Sequence, residues 1–206
     1  MTIKTIIFDL GNVVLTNDWH YECPEKFNEY SEHFGITEAD MERGWNAFWP
    51  KFKIGRISED EFWKGALTNA GAKKIDIKYA KKLYRKYQMP IENMLHLLKK
   101  LRPNYKLGAL TTISKEWLDY KSKKYKLKDY FDVIVSSGYS GLCKPDPAIY
   151  EIIIKKLNAK PNETVFIDDA QMCLLPAKAM GIKTIQFKSQ AQLERELLKL
   201  KVLFMK

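Results

Sequence analysis

Lys4-Thr-Ile-Ile-Phe-Asp9 is a short apolar run, rich in β-branched residues, that ends on an acid. A strand covered by helices on both faces has no solvent side and reads as a continuous apolar stretch, so this run predicts a buried parallel strand with Asp9 at its carboxyl end. Comparable runs recur at Lys106-Leu-Gly-Ala-Leu-Thr111, Asp132-Val-Ile-Val-Ser-Ser137, Thr164-Val-Phe-Ile-Asp168 and Lys183-Thr-Ile-Gln-Phe187. Helical patterns fall between them, over 115–125, 147–157 and 174–180. Strands and helices in alternation predict an α/β fold with a doubly wound parallel sheet. The reactive crevice of such a sheet lies beyond the carboxyl ends of the strands, where the strand order reverses.

The alternation breaks once. Over 18–88 the apolar residues keep helical spacing, which predicts an inserted α-helical domain: residues 17–90 as a cap, 1–16 and 91–206 as the α/β core. Met41, Trp45, Phe48, Trp49 and Phe52 mark one amphipathic face, and Phe27, Tyr30 and Phe34 mark another. Spacing alone leaves open whether Trp19, His20, Trp45 and Trp49 face the crevice or the cap's own interior. Ser58 and Glu61 form a capping box that opens a helix, with Ile57 placed to staple against Phe62. Asp76 is placed to cap the next helix, which turns Ile77, Ala80, Tyr84 and Tyr87 inward and Lys78, Lys81, Lys82 and Lys86 outward. Met89-Pro90 ends the insert, and residues 190–202 read as a closing helix.

The 206 residues are 46% hydrophobic and carry a net charge of +10, enough apolar material for a full core and not the composition of a disordered chain. The excess lysines fall on helix patterns with apolar partners, at 73–86 and 121–128, and read as solvated faces rather than a nucleic-acid footprint. Cys23, Cys143 and Cys173 form no CxxC and no zinc spacing, and their odd number argues against a disulfide framework, as in a reducing cytoplasm. No apolar run reaches bilayer length, and Asp9 interrupts what a signal peptide would need to be apolar, so a soluble cytoplasmic protein is expected.

Polar residues gather at the predicted strand ends: Asp9, Thr111 with Thr112, Ser136-Ser137 leading to Lys144, and Asp168 with Asp169. Three acids suit Mg²⁺, whose hard octahedral shell takes a few carboxylate oxygens together with water and substrate phosphate. A hydroxyl and an ammonium suit the remaining phosphate oxygens.

Phe8-Asp9-Leu10-Gly11-Asn12-Val13-Val14 resembles the first motif of the haloacid dehalogenase (HAD) superfamily. Leu110-Thr111-Thr112 resembles the second, Lys144-Pro145-Asp146-Pro147-Ala148-Ile149-Tyr150 the third and Phe166-Ile167-Asp168-Asp169 the fourth, all in the family's order. Gly55-Arg56-Ile57-Ser58 through Phe62 is similar to the family's helical cap. The resemblance implies that Asp9 attacks phosphorus and forms an aspartyl-phosphate, that Thr111 and Lys144 hold the transferring group, and that Asn12 and Thr112 line the substrate. It also implies Mg²⁺ bound by Asp9, the Gly11 carbonyl, Asp168 and Asp169, a small phosphorylated substrate, and a monomer or homodimer.

Three positions depart from the pattern. Phosphatases of the family usually have an aspartate two residues after the nucleophile, as acid for the leaving alcohol and base for water; Gly11 stands there. A positioned acid or base is worth roughly 10²–10⁴-fold, so Gly11 favours leaving groups that need little protonation. A branch resembling glucose-1-phosphate phosphatases shares Asp-Leu-Gly-Asn, which points to sugar 1-phosphates, and Asp18 is a candidate substitute acid. Thr112 and Cys173 replace residues that are commonly asparagine, and asparagine or glycine. Two other readings stay open: a haloacid dehalogenase, which needs no acid at Gly11 but works without metal, and a weakened fold that binds a phosphate or a partner.

Overall fold

A computed structural model describes residues 2–16, 24–91 and 93–203, with the backbone alone over 24–27. Asp18, Trp19, His20, Cys23 and the Phe27 side chain lie outside the described residues. Strands β1 (Thr5–Phe8), β2 (Lys106–Thr111), β3 (Val133–Ser136), β4 (Thr164–Asp168) and β5 (Lys183–Gln186) form one parallel sheet in the order β3-β2-β1-β4-β5. The chain therefore winds outward from β1 through β2 to β3, crosses back, and winds outward again through β4 to β5. β1 is central, paired with β2 on one side (Phe8 opposite Ala109) and β4 on the other (Phe8 opposite Ile167). That arrangement puts the topological switch, and hence the crevice, at the carboxyl ends of β1 and β4.

Helices cover both faces. Ile7, Leu110, Val135 and Phe166 pack with Ile149 and Ile153 of helix α8 (Pro147–Lys156) and with Leu174 and Ala177 of α9 (Gln171–Ala179). The opposite face, with Ile6, Phe8, Ala109 and Ile167, packs against α5 (Met94–Leu101), α6 (Lys115–Tyr125) and α10 (Gln190–Lys199). Continuous burial of this kind is what lets the strand sequences be apolar throughout.

Four helices stand between β1 and β2: α1 (Pro24–Phe34), α2 (Glu38–Phe52), α3 (Glu59–Asn69) and α4 (Ile77–Lys86). Their ends follow local chemistry. Thr37 and Asp40 form a capping box on α2, Ser58 and Glu61 form one on α3, and the Asp76 side chain accepts from the Tyr79 amide at the start of α4. Ser58→Ala removes the acceptor for the Glu61 amide and a donor to the Glu61 carboxylate. It is expected to cost about 1 kcal/mol, read as a lower urea midpoint with unchanged slope.

The insert leaves and returns at one place. Leu15 pairs antiparallel with Pro90, the Thr16 amide donates to the Met89 carbonyl (2.8 Å), and the Ile91 amide donates to Val14 (3.0 Å). Its interior is aromatic: Phe34, Phe52, Phe62 and Trp63 are fully buried, and they belong to the same hydrophobic cluster as one face of the sheet. Trp45 and Trp49 stack on each other (5.4 Å between centroids), and both lie 5.6 Å from Trp117 of α6. The question the sequence leaves open is answered for these two tryptophans: they fill the seam between insert and sheet layer.

Several elements differ from the sequence reading. Ser137 leaves β3 and opens a short helix, α7 (Ser137–Ser140). α9 begins at Gln171, earlier than the expected 174, and α5 has no counterpart in the reading. Among the described residues no helix is long and apolar enough to cross a membrane, and Cys143 and Cys173 are free thiols.

Candidate active site

Asp9 lies one residue beyond the last paired position of β1, and its amide donates to the Ile167 carbonyl (2.8 Å). The backbone then turns sharply: Asn12 takes a left-handed conformation (φ 54°), its amide donates to Leu15, and the Val14 and Leu15 amides return to Leu10. Asp168 ends the neighbouring strand β4, so the pairing of β1 with β4 brings the two carboxylates side by side. Asp169 follows. Carboxylate oxygens of Asp9, Asp168 and Asp169 lie within 4.8 Å of one another.

Lys144 reaches this cluster from the loop between α7 and α8. Asp146 caps α8 through the Ala148 amide (3.0 Å) and Pro147 occupies its first turn, which anchors that loop two residues from the lysine. Nζ lies 2.6 Å from Asp168 Oδ2 and 3.0 Å from Asp9 Oδ1, with the lysine side chain only 3% exposed. Asp9 Oδ1 also accepts from the Leu10 amide (2.7 Å), and Asp168 Oδ1 accepts from the Ala170 amide (2.9 Å). Among the described residues Asp9 Oδ2 has no hydrogen-bond partner, which leaves one oxygen of that carboxylate for a reacting atom.

Burial pulls the Lys144 ammonium down, but the Asp9 and Asp168 carboxylates outweigh it and hold the group above the ordinary lysine value. Burial pushes the Asp168 carboxyl up to about 6, Asp9 adds to that, and Lys144 and the Ala170 amide oppose it. Three carboxylates face one ammonium here. This excess of hard, negative oxygen donors at a shielded site fits a divalent cation of the magnesium type.

The remaining expected residues are placed as follows. Asn12 turns its amide onto Asp169 Oδ2 (3.1 Å), so in this structure it holds an acid of the cluster. Thr111 ends β2 and is buried, and Thr112 and Gly11 are half-buried. None of these three hydrogen-bonds to the acid and lysine network among the described residues. Cys173 lies in the first turn of α9, where burial pushes its thiol up to about 11, and its carbonyl accepts from Tyr150 (2.6 Å). A neutral buried thiol is a packing group. His33 stacks on Tyr79 and bonds Asp76 within the insert. The Leu10 and Ala170 amides, which orient the two strand-end carboxylates, carry no signal in a side-chain reading.

Comparison with known proteins bears on this arrangement. A family model described as haloacid dehalogenase-like hydrolase matches residues 3–181. The bifunctional epoxide hydrolase 2 of Rattus norvegicus is 39% identical over 100 residues, a match that spans 45% of this chain and only 18% of that enzyme's length. The D-ribitol-5-phosphate phosphatase of Bacteroides thetaiotaomicron is 25% identical over 205 residues, covering 95% of this chain and 97% of that one. A HAD-family enzyme of the same organism, in a crystal structure with magnesium and inorganic phosphate, superposes with a TM-score of 0.77 at 25% identity, over 93% of this chain and 98% of the other. With the family model matching most of its length and the parallel sheet carrying its acids at the strand ends, the chain belongs to the haloacid dehalogenase-like hydrolase family.

Proposed function

We propose that the protein is a Mg²⁺-dependent phosphatase of small phosphorylated metabolites, sugar phosphates among them, acting in the cytoplasm through an aspartyl-phosphate on Asp9. Residues 1–16 and 91–206 would form its catalytic core and 17–90 its cap. The observation that carries this reading is the buried ammonium of Lys144 between Asp9 and Asp168, with Asp169 completing the acid cluster. The phosphatase name of one relative and the magnesium and phosphate of another support it.

In the reaction Asp9 Oδ2 attacks phosphorus, a P–O bond forms, and the bond to the leaving oxygen breaks. Water then attacks the same phosphorus, the Asp9 acyl-phosphate bond breaks, and inorganic phosphate leaves with the carboxylate restored. Lys144 keeps Asp9 oriented and offsets the charge that gathers on the transferring group, and the Thr111 hydroxyl is assigned to a non-bridging oxygen. Asn12 orients Asp169, and Thr112 stands beside the substrate. Asp9, the Gly11 carbonyl, Asp168 and Asp169 would hold the magnesium ion, which supplies electrostatic stabilisation of phosphoryl charge. With glycine at position 11, the leaving oxygen departs without an acid from that position, which favours acidic leaving groups such as an anomeric hydroxyl, a nitrophenolate or acetate.

The test is a panel of p-nitrophenyl phosphate, acetyl phosphate, glucose 1-phosphate and ribitol 5-phosphate with Mg²⁺, repeated in EDTA. Turnover is expected to fall on the order of 10²-fold or more when the metal is withdrawn. Silence on every substrate, or full activity in EDTA, would sink the proposal. Halide release from chloropropionate without metal would favour the dehalogenase reading, against which the acid cluster stands as a repulsive wall to a carboxylate substrate.

A further inference from the structure

Glu59 opens α3, where an acid is ordinarily a solvated charge complementing the positive end of the helix. Here it is only 4% exposed. Oε1 accepts from the indole of Trp117 (2.9 Å) and more distantly from that of Trp63 (3.4 Å), while Oε2 pairs with Arg85 (2.7 Å) and faces Lys81 (3.7 Å). The Glu59 amide donates to Glu116 (3.2 Å). Trp63, Lys81 and Arg85 belong to the cap helices α3 and α4. Trp117 and Glu116 belong to the first turn of α6, which begins directly after Thr111-Thr112-Ile113 with Ser114 as its cap. One carboxylate thus joins three helices across the seam between cap and core.

A second tie lies beside it. Ser137 Oγ accepts from the Ile113 amide (2.9 Å) and donates to the Lys53 carbonyl (2.5 Å). Gly55, at φ 75°, lies so close to α7 that a Cβ there would come to 2.6 Å from the Gly138 carbonyl oxygen. The cap loop 53–57, which leads into α3, is therefore held against the same segment that follows Thr111.

We infer that Glu59 is a positioning residue: it seats the cap on α6 and so sets where loop 53–57 stands relative to the phosphate-holding end of β2. The inference rests on the phosphatase reading for its kinetic part only. A carboxylate is the one side chain of this length that accepts from both indoles and pairs with Arg85 at once. Glutamine keeps a single carbonyl acceptor and sets an NH₂ against a donor.

The experiment compares wild type, Glu59→Gln, Trp117→Phe and the double variant on p-nitrophenyl phosphate, whose ring extends beyond the phosphate, and on acetyl phosphate, which has almost nothing to offer a cap. The same four proteins are measured by hydrogen exchange at the amides of 53–58 and 113–117. Each single variant is expected to raise KM for the nitrophenyl ester on the order of tenfold, to leave acetyl phosphate within about twofold, and to speed exchange in both segments together. The double variant is expected to be no worse than either single one, as for two ends of one contact. Equal losses on both substrates indicate mere loss of folded protein and overturn the inference, as do additive effects in the double variant. Unchanged exchange at 53–58 overturns it as well. If the wild type is silent on both substrates, the exchange data alone decide for or against the seat, and the phosphatase reading fails if the sugar phosphates are silent too.

Discussion

Asp9→Asn is expected to abolish turnover, by a factor on the order of 10³ or more, and to leave the fold intact. The asymmetry follows from how the two oxygens are used. Oδ1 serves structure, accepting from the Leu10 amide and pairing with the Lys144 ammonium, and an asparagine carbonyl in the same place keeps the amide bond and still faces the lysine with a polar atom. Oδ2 is the oxygen with no partner among the described residues, and replacing it by NH₂ removes the proposed nucleophile. The substitution also removes one of the carboxylates crowded at the strand ends, so thermal stability without metal is expected to hold or rise. Steady-state rates beside a melting curve check both halves; an Asn variant that keeps its activity ends the aspartyl-phosphate proposal.

Lys144→Ala is expected to damage stability and activity together, but to different extents with and without metal. The ammonium is buried between Asp9 and Asp168. Removing one partner of a buried charge cluster costs about 3–5 kcal/mol, which at this chain length lowers the melting temperature on the order of 10 °C. Mg²⁺ is expected to bind among the same acids and to restore part of that loss by mass action. The restoration does not extend to rate: turnover with Mg²⁺ should stay lower by about 10²–10³-fold, because the charge opposite the transferring group is gone. In the metal-free variant the sign of the pH effect is fixed. Burial and Asp9 already push the Asp168 carboxyl up to about 6, and losing the ammonium raises it further. The folded state then holds a proton that the unfolded chain has released, so stability falls as pH climbs from the ordinary carboxylate range toward the raised value. Melting curves across pH, with and without Mg²⁺, test this. An undiminished rate in a folded variant would remove Lys144 from the mechanism.

Strands were the most legible part of the fold. β2 and β4 begin and end where the sequence reading places them, because an apolar run buried on both faces stops where polar residues begin. Helices that lack a side-chain start signal were not. α5 opens at Asn93, which is left-handed (φ 60°) and makes no side-chain cap bond, and α9 opens at Ala170, which has no side chain to cap with. By contrast α3 and α4, capped by Ser58 and Asp76, start where the reading puts them. At the site, residue types were legible and contacts were not. The Lys144 to Asp168 pair depends on a loop without periodicity, and Asn12 reaches Asp169 from a turn in which its backbone is left-handed. Glu59 was hidden for a related reason: Glu59, Asp60 and Glu61 form an acidic first turn, and nothing in that run tells which acid turns inward.

The central position of β1 has a consequence for how the protein is made. Both partners of this strand lie far along the chain, Thr5 opposite Lys106 on one side and opposite Thr164 on the other. Contacts of such long range form slowly, since loop closure must be met before they give any return. During synthesis β1 emerges before both of its partners and can be enclosed only after β4 has followed, so until then it waits as an apolar segment with at most one neighbour. β1 gains its second neighbour only when β4 is made, and a ribosome-bound chain ending before residue 164 cannot yet possess the acid cluster.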